Sequence, residues 1–128
     1  MKVYTTDKIR NIVLLGHSGS GKTSLSESMA YQAELIQRQG TVVDGNTISD
    51  FDKQEIKRKM SIQTSVIPIP WEDCKINILD TPGSFDFLGE MEEALSAAAA
   101  AVIVVSGKNG VEGGTNKAWG LCEKYHLP

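Results

Sequence analysis

Cysteine is scarce in this chain, and the scarcity excludes two large classes. Two cysteines in 128 residues, Cys74 and Cys122, cannot build a disulfide framework, and their spacing does not suit a metal pair. They are expected as reduced thiols in a cytoplasmic protein. Long apolar runs are absent as well: none reaches the ~18 residues of a membrane span, and the N-terminus shows no signal-peptide pattern. Charge of one sign is also missing. A net charge of −3 makes no global electrostatic case for binding nucleic acid or a membrane surface. Tryptophan is rare, and Trp71 and Trp119 are read as packing residues rather than base-stacking platforms. No internal repeat appears. What is there suffices for a folded unit: 41% hydrophobic residues can form a core, and the length allows one domain at most.

The chemistry is concentrated near the start. Residues 16–23 read Gly16-His17-Ser18-Gly19-Ser20-Gly21-Lys22-Thr23, which fits G-x-x-x-x-G-K-[ST], the P-loop. The glycines let the backbone turn tightly, so that several N–H groups point at phosphate oxygens. Lys22 brings a positive charge to the β/γ-phosphates, and the Thr23 hydroxyl suits Mg²⁺. Ile9–Leu15 before the motif reads as a buried strand. Ser24–Gln39 after it reads as a helix whose N-terminus favours an anion. The expected nucleotide-binding set is Gly16, His17, Ser18, Gly19, Ser20, Gly21, Lys22, Thr23 and Ser24. The competing reading is a glycine turn joining strand and helix; the strand before the motif and the helix after it favour the P-loop.

Beyond the helix, Gly40–Lys59 is polar and too long for an ordinary connection; such loops are usually functional or mobile. Ser61–Ile69 alternates apolar and polar residues and runs into Pro68-Ile69-Pro70, as a strand with one solvated face does. Lys75–Leu79 is a further strand, with Ile76 and Ile78 on one side. Gly89–Ala98 suits a helix. Ala99–Val105 is continuous, apolar and β-branched, the pattern of a strand buried on both faces. Thr115–His126 closes as a helix. The order β-α-β-β-α-β-α predicts an α/β fold of three layers, a mostly parallel sheet with helices on both faces.

A second phosphate motif follows the strand at Lys75–Leu79. Asp80-Thr81-Pro82-Gly83 places an acid where a P-loop protein carries its Mg²⁺-holding aspartate. The Gly83 N–H is free to approach a γ-phosphate. Alone this is an ordinary turn sequence; about sixty residues after a P-loop it gains force.

These motifs together resemble the start of the GTP-binding domain of elongation factor G and its relatives among the translational GTPases. The chain is most similar to the elongation-factor-G-like branch, over nearly all its length. The family's D-T-P-G-H-x-D-F reads Asp80-Thr81-Pro82-Gly83-Ser84-Phe85-Asp86-Phe87 here. Its R-G-I-T-I reads Arg58-Lys59-Met60-Ser61-Ile62, and its later G-V reads Gly110-Val111. The resemblance implies a P-loop NTPase fold, here stopping before the later strands. It implies GTP or GDP with Mg²⁺ as ligands and, for the full-length protein, GTP hydrolysis on the ribosome. Gly40–Lys59 (about 40–60) would be switch I and Asp80–Glu90 (about 80–90) switch II. Thr23, Ser61 and Asp80 would hold the metal, although Ser61 also reads simply as the first residue of a strand. In such switches the γ-phosphate and Mg²⁺ keep the loops ordered until hydrolysis.

Three departures matter. The family's water-orienting histidine is Ser84 here. A serine is shorter and uncharged near neutral pH, so the catalytic residue is unassigned and hydrolysis by the family's route is in question. The family's acidic P-loop residue is Gly19, which removes any monovalent-cation contact. Lys59 replaces a glycine, and Lys57-Arg58-Lys59 reads either as an RNA-facing run or as a solvated loop. The N-K-x-D motif that reads guanine is also missing; Asn116-Lys117-Ala118-Trp119 begins like it but sits in a predicted helix. His17 matches the family's P-loop histidine, with packing and ligand contact equally open. The chain is therefore expected to be part of a longer protein. Its last strand would become an exposed edge open to self-association, and no independent nucleic-acid binding is expected. Two other functions stay open: a nucleotide-sensing module that hydrolyses slowly or not at all, and a P-loop ATPase or small-molecule kinase.

Overall fold

The run Ile9–Leu15 forms β1, and β1 lies in the interior of a four-stranded sheet of order β2-β3-β1-β4. The structure, a computed structural model, describes residues 3–128, with Phe85 by its backbone alone. Met1 and Lys2, part of the N-terminus read above for a leader, lie outside it. The other strands are β2 (Ser65–Trp71), β3 (Cys74–Asp80) and β4 (Ala100–Ile103). Both neighbours of β1 run parallel to it, with Ile12 opposite Ile78 on one side and Ala100 on the other. β2 runs antiparallel to β3, Ile67 opposite Ile78. The sheet is thus mostly parallel, with one antiparallel edge.

Side chains alternate across β1. Val13 and Leu15 point into a core closed by α3 (Leu88–Ala97) and α4 (Gly113–Tyr125), through Met91, Leu95, Ala118 and Leu121. Leu14 points the other way, to join Ile67, Ile69 and Ile78 against Ala30 of α1 (Lys22–Gln32). The three expected layers are present. Among the described residues no helix is long and apolar enough to cross a membrane.

Beyond shifts of one or two residues at element ends, the elements differ from the sequence expectations at four places. α1 starts two residues earlier than Ser24 and ends at Gln32 rather than Gln39. Glu34 takes a left-handed φ of 56°, while the Leu35 and Glu34 amides donate to Ala30 O and Tyr31 O, the Schellman way of stopping a helix. The polar loop is not bare: it holds the short helix α2 (Lys53–Arg58), opened by a capping box between Asp52 and Glu55. β2 begins at Ser65, not Ser61. The amides of Ile62 and Gln63 are taken by Glu55 Oε1, and that of Thr64 by Glu90 Oε2, so side-chain acceptors replace a strand ladder. β2 then continues through Pro68 and Pro70, which an edge strand tolerates. Finally, β4 is short and half-buried instead of covered on both faces, with Val102 41% exposed.

Candidate functional site

The tight turn between β1 and α1 creates the site. Gly21 stands at the N-cap of α1 with φ 103°, a conformation that a β-carbon disfavours. From there the helix starts at Lys22-Thr23, so both side chains leave its first turn. Lys22 is 5% exposed. Its ammonium donates to Gly16 O at 3.1 Å and His17 O at 3.0 Å. Burial pulls its pKa below the usual lysine value, opposed by the charges of Asp80 and Asp50. A buried ammonium satisfied by two neutral carbonyls is primed to take an anion as a stronger partner.

The three residues expected at a metal converge. Thr23 Oγ1 lies 3.3 Å from Ser61 Oγ, and Ser26 donates to Thr23 O at 2.9 Å and to Asp80 Oδ2 at 3.1 Å. Ser61 is therefore no mere strand residue: it precedes β2 by four positions and faces the loop. Asp80 closes β3 at 1% exposure. Burial raises its pKa, while the Thr23, Ser49 and Ser26 hydroxyls and the Lys22 charge oppose the rise. Those hydroxyls stand near its carboxylate, yet Oδ1 has no partner at hydrogen-bond length.

Asp50, which the sequence did not single out, completes this cluster. Ser61 Oγ donates to its Oδ1 at 2.7 Å, and its Oδ2 is buried without a partner. Burial raises its pKa too, against the Ser61 bond, with the charges of Asp80, Glu55 and Glu27 adding to the rise. Two buried carboxylate oxygens without donors, next to two hydroxyls, make an all-oxygen donor set. That suits a hard cation such as Mg²⁺. No group of three or more His, Cys, Asp or Glu gathers among the described residues, so the donors do not resemble a zinc centre.

The Asp80-Thr81-Pro82-Gly83 turn is pinned by Thr81, whose hydroxyl donates to Leu14 O at 2.6 Å. This brings Gly83 against the phosphate loop: a β-carbon there would sit 2.5 Å from Lys22 Nζ and 2.7 Å from the Ser18 backbone. A cleft of ≈ 240 Å³ opens here, between Ser18, Gly19, Lys22, Thr23, Ser24 and the facing loop residues Asp50 and Ser61. Ser84 is not among its lining residues. Its hydroxyl donates to Asp86 Oδ2 at 3.2 Å and accepts from the Asp86 amide. His17 turns away from the cleft as well, toward the start of α4. Ser20 Oγ is buried and unpartnered.

Two buried glutamates that sequence reasoning passed over hold the polar loop in place. Glu27, 1% exposed on α1, accepts from the amides of Gly40 at 2.7 Å and Ile48 at 2.8 Å. Glu55 gathers Asp52, Ile62 and Gln63. The Asp-x-x-Glu spacing at Asp52 was a legible signal for Glu55; Glu27 had none, since its partners are thirteen and twenty-one residues away.

Comparison with known proteins agrees with this geometry. Residues 7–128 match the elongation factor Tu GTP binding domain family. An elongation factor G-like protein of Mycobacterium tuberculosis is 38% identical over 120 residues, covering 94% of this chain and 17% of that protein. A mitochondrial ribosome-releasing factor 2 of Drosophila sechellia is 42% identical over 123 residues, 96% of this chain and 18% of that one. A crystal structure of a Thermus thermophilus protein superposes with a TM-score of 0.92 at 39% identity, covering 94% of this chain and 18% of the other. The chain thus spans under a fifth of the length of these relatives. With the family's model matched over residues 7–128, this chain belongs to the elongation factor Tu GTP-binding domain family.

Proposed function

We propose that the cleft binds the phosphates of GTP or GDP together with Mg²⁺, and that the chain is the nucleotide-responsive part of an elongation-factor-G-like factor working on the ribosome. The observation that carries this reading is the buried Lys22 ammonium, held by two neutral carbonyls beside two carboxylates with unpartnered oxygens. Residues 16–23 supply the cradle. Thr23, Ser61 and Asp80, with Asp50 behind Ser61, would hold the metal. When bound, Mg²⁺ neutralises phosphate charge. Segments of about 40–60 and 80–90 act as the two switches, because both reach the cleft: one through Asp50 and Ser61, the other through Gly83. A ribosomal partner is supported by the relatives' names alone, and the full-length activity goes with it. The ATPase or kinase alternative has no residue here that favours it.

Lys22→Ala tests the reading, because it removes the charge and leaves the backbone cradle. GDP and GTP affinity should fall by about 1.5–3 kcal/mol, the scale of a charge-assisted hydrogen bond. An unchanged dissociation constant would refute the phosphate site. A second reading, a slowly hydrolysing sensor, is favoured by Ser84, whose hydroxyl is engaged with Asp86 outside the cleft. Single-turnover GTP hydrolysis with ribosomes distinguishes the two.

A further inference from the structure

We propose that His17 is a positioning residue: its imidazole is clamped to the start of α4, and its peptide carries the carbonyl that steadies Lys22. The inference rests on the reading of the cleft as a phosphate site and adds a side chain, turned away from that cleft, that sets its geometry.

The clamp engages both ring nitrogens. The Gly114 amide donates to His17 Nδ1 at 3.2 Å, and Nε2 faces Glu112 Oε1 at 3.7 Å. An Nδ1 that accepts carries no proton, so the ring proton lies on Nε2, toward the carboxylate. Glu112 is itself the N-cap of α4, joined to Thr115 in a capping box. Its amide donates to the Thr115 hydroxyl at the helix start, while its carboxylate faces the ring. The backbones are in contact too. A β-carbon at Gly114 would come within 2.6 Å of His17 Cα and 2.9 Å of its Cβ. Those atoms are not flexible tips, so α4 can begin this close to the loop only with glycine at 114.

On its other side the same residue reaches the site. His17 O accepts from Lys22 Nζ at 3.0 Å and from the Ser20 amide at 3.1 Å. The side chain fixes the peptide plane, and the peptide plane fixes the ammonium. Neither packing nor ligand contact describes this role, since the ring lies outside the cleft lining. The start of α4 and the phosphate loop consequently move as one piece, and a displacement of Glu112–Thr115 would be felt at Lys22.

The test is a double-mutant cycle on the 128-residue chain, read as the dissociation constant for GDP with Mg²⁺. His17→Ala should weaken GDP by about three- to tenfold, the span of one lost hydrogen bond. His17→Asn, whose Oδ1 can take the place of Nδ1, should bind within about twofold of the parent. In a Lys22→Ala background the His17→Ala loss should disappear, because the two act through one ammonium. Hydrogen exchange at the Gly114 amide should be fast in His17→Ala and slow in His17→Asn. If His17→Ala does not fold, Gly114→Ala carries the test, since it displaces the same ring and should weaken GDP as well. The proposal is overturned if Lys22→Ala weakens GDP while His17→Ala does not, or if the His17→Ala loss is unchanged in the Lys22→Ala background. If Lys22→Ala itself leaves GDP binding unaltered, the phosphate-site reading falls, and this proposal with it.

Discussion

Adding a single methyl group at Gly83 should damage the site more than its size suggests. The new carbon would lie 2.5 Å from Lys22 Nζ and 2.7 Å from both Cα and N of Ser18, where ordinary contact begins at 3.4 Å. The lysine tip could swing aside, but it would then leave Gly16 O and His17 O, its two acceptors. The Ser18 backbone has no such freedom. The turn and the phosphate loop must therefore part by about 0.7 Å. The turn resists, because Thr81 is bonded to Leu14 O and buried with Pro82. Overpacking of this kind costs about 1–3 kcal/mol. If the close approach is needed for binding, GDP affinity falls by roughly 5- to 150-fold. If the cost falls on the fold, the melting temperature drops by roughly 4–10 °C for a domain of this size.

Calorimetric titration with GDP and a thermal melt of Gly83→Ala measure the two shares. Gly120→Ala is the control of opposite sign. Gly120 is exposed inside α4 and would meet nothing within 4 Å, so alanine there should stabilise by about 0.5–1 kcal/mol. A Gly83→Ala chain that melts and binds like the parent would refute the argument, since it would mean that the turn does not rest on the loop.

Asp80→Asn should raise the melting temperature of the nucleotide-free chain at neutral pH while weakening Mg²⁺-dependent GDP binding. The sign follows from burial, which raises the folded-state pKa of this carboxyl. Between the ordinary aspartate value of ~3.9 and the raised folded value the folded chain binds more proton than the unfolded one, so this contribution to stability is complete below ~3.9 and is lost as pH rises through the raised pKa. Asparagine abolishes that dependence at position 80, and an Asp80→Asn chain less stable than the parent at neutral pH would show the reasoning to be wrong. β4 is an edge in this sheet, with Val102 and Val105 41% and 44% exposed, so the chain should self-associate at micromolar concentration. Val102→Lys should return it to monomer by light scattering, and a parent chain that is already a clean monomer would sink the idea.

The sequence carried the phosphate loop and the acidic turn because each is written in neighbouring residues. Gly16–Thr23 and Asp80–Gly83 fold locally, and the strands before them are plain apolar runs, so their meeting across β1 and β3 follows from the parallel pairing. What stayed hidden lies in contacts between distant residues. α1 stops at a left-handed Glu34, a position where glycine is the usual signal, so the helix seemed to run on to Gln39. Ser61–Thr64 has the alternation of a strand, but Glu55 and Glu90 take its amides first. Glu27 has the helical spacing of any surface residue, and only the folded chain shows it buried beneath Gly40 and Ile48.

The distribution of these contacts bears on how the polar loop can respond. Its first part, Gly40–Ile48, hangs on Glu27 of α1, which accepts from the Gly40 and Ile48 amides. Its second part, from Asp50 to Ser61, is organised by Glu55 and meets the P-loop through the Asp50–Ser61–Thr23 hydroxyl chain. That chain ends on the very hydroxyl that would face Mg²⁺. A metal drawing on Thr23 and Ser61 would therefore act directly on the second part, and would reach the first through the backbone between Ile48 and Asp50, the bond from the Asp50 amide to Thr47 Oγ1, and Ile56 beside Gly45.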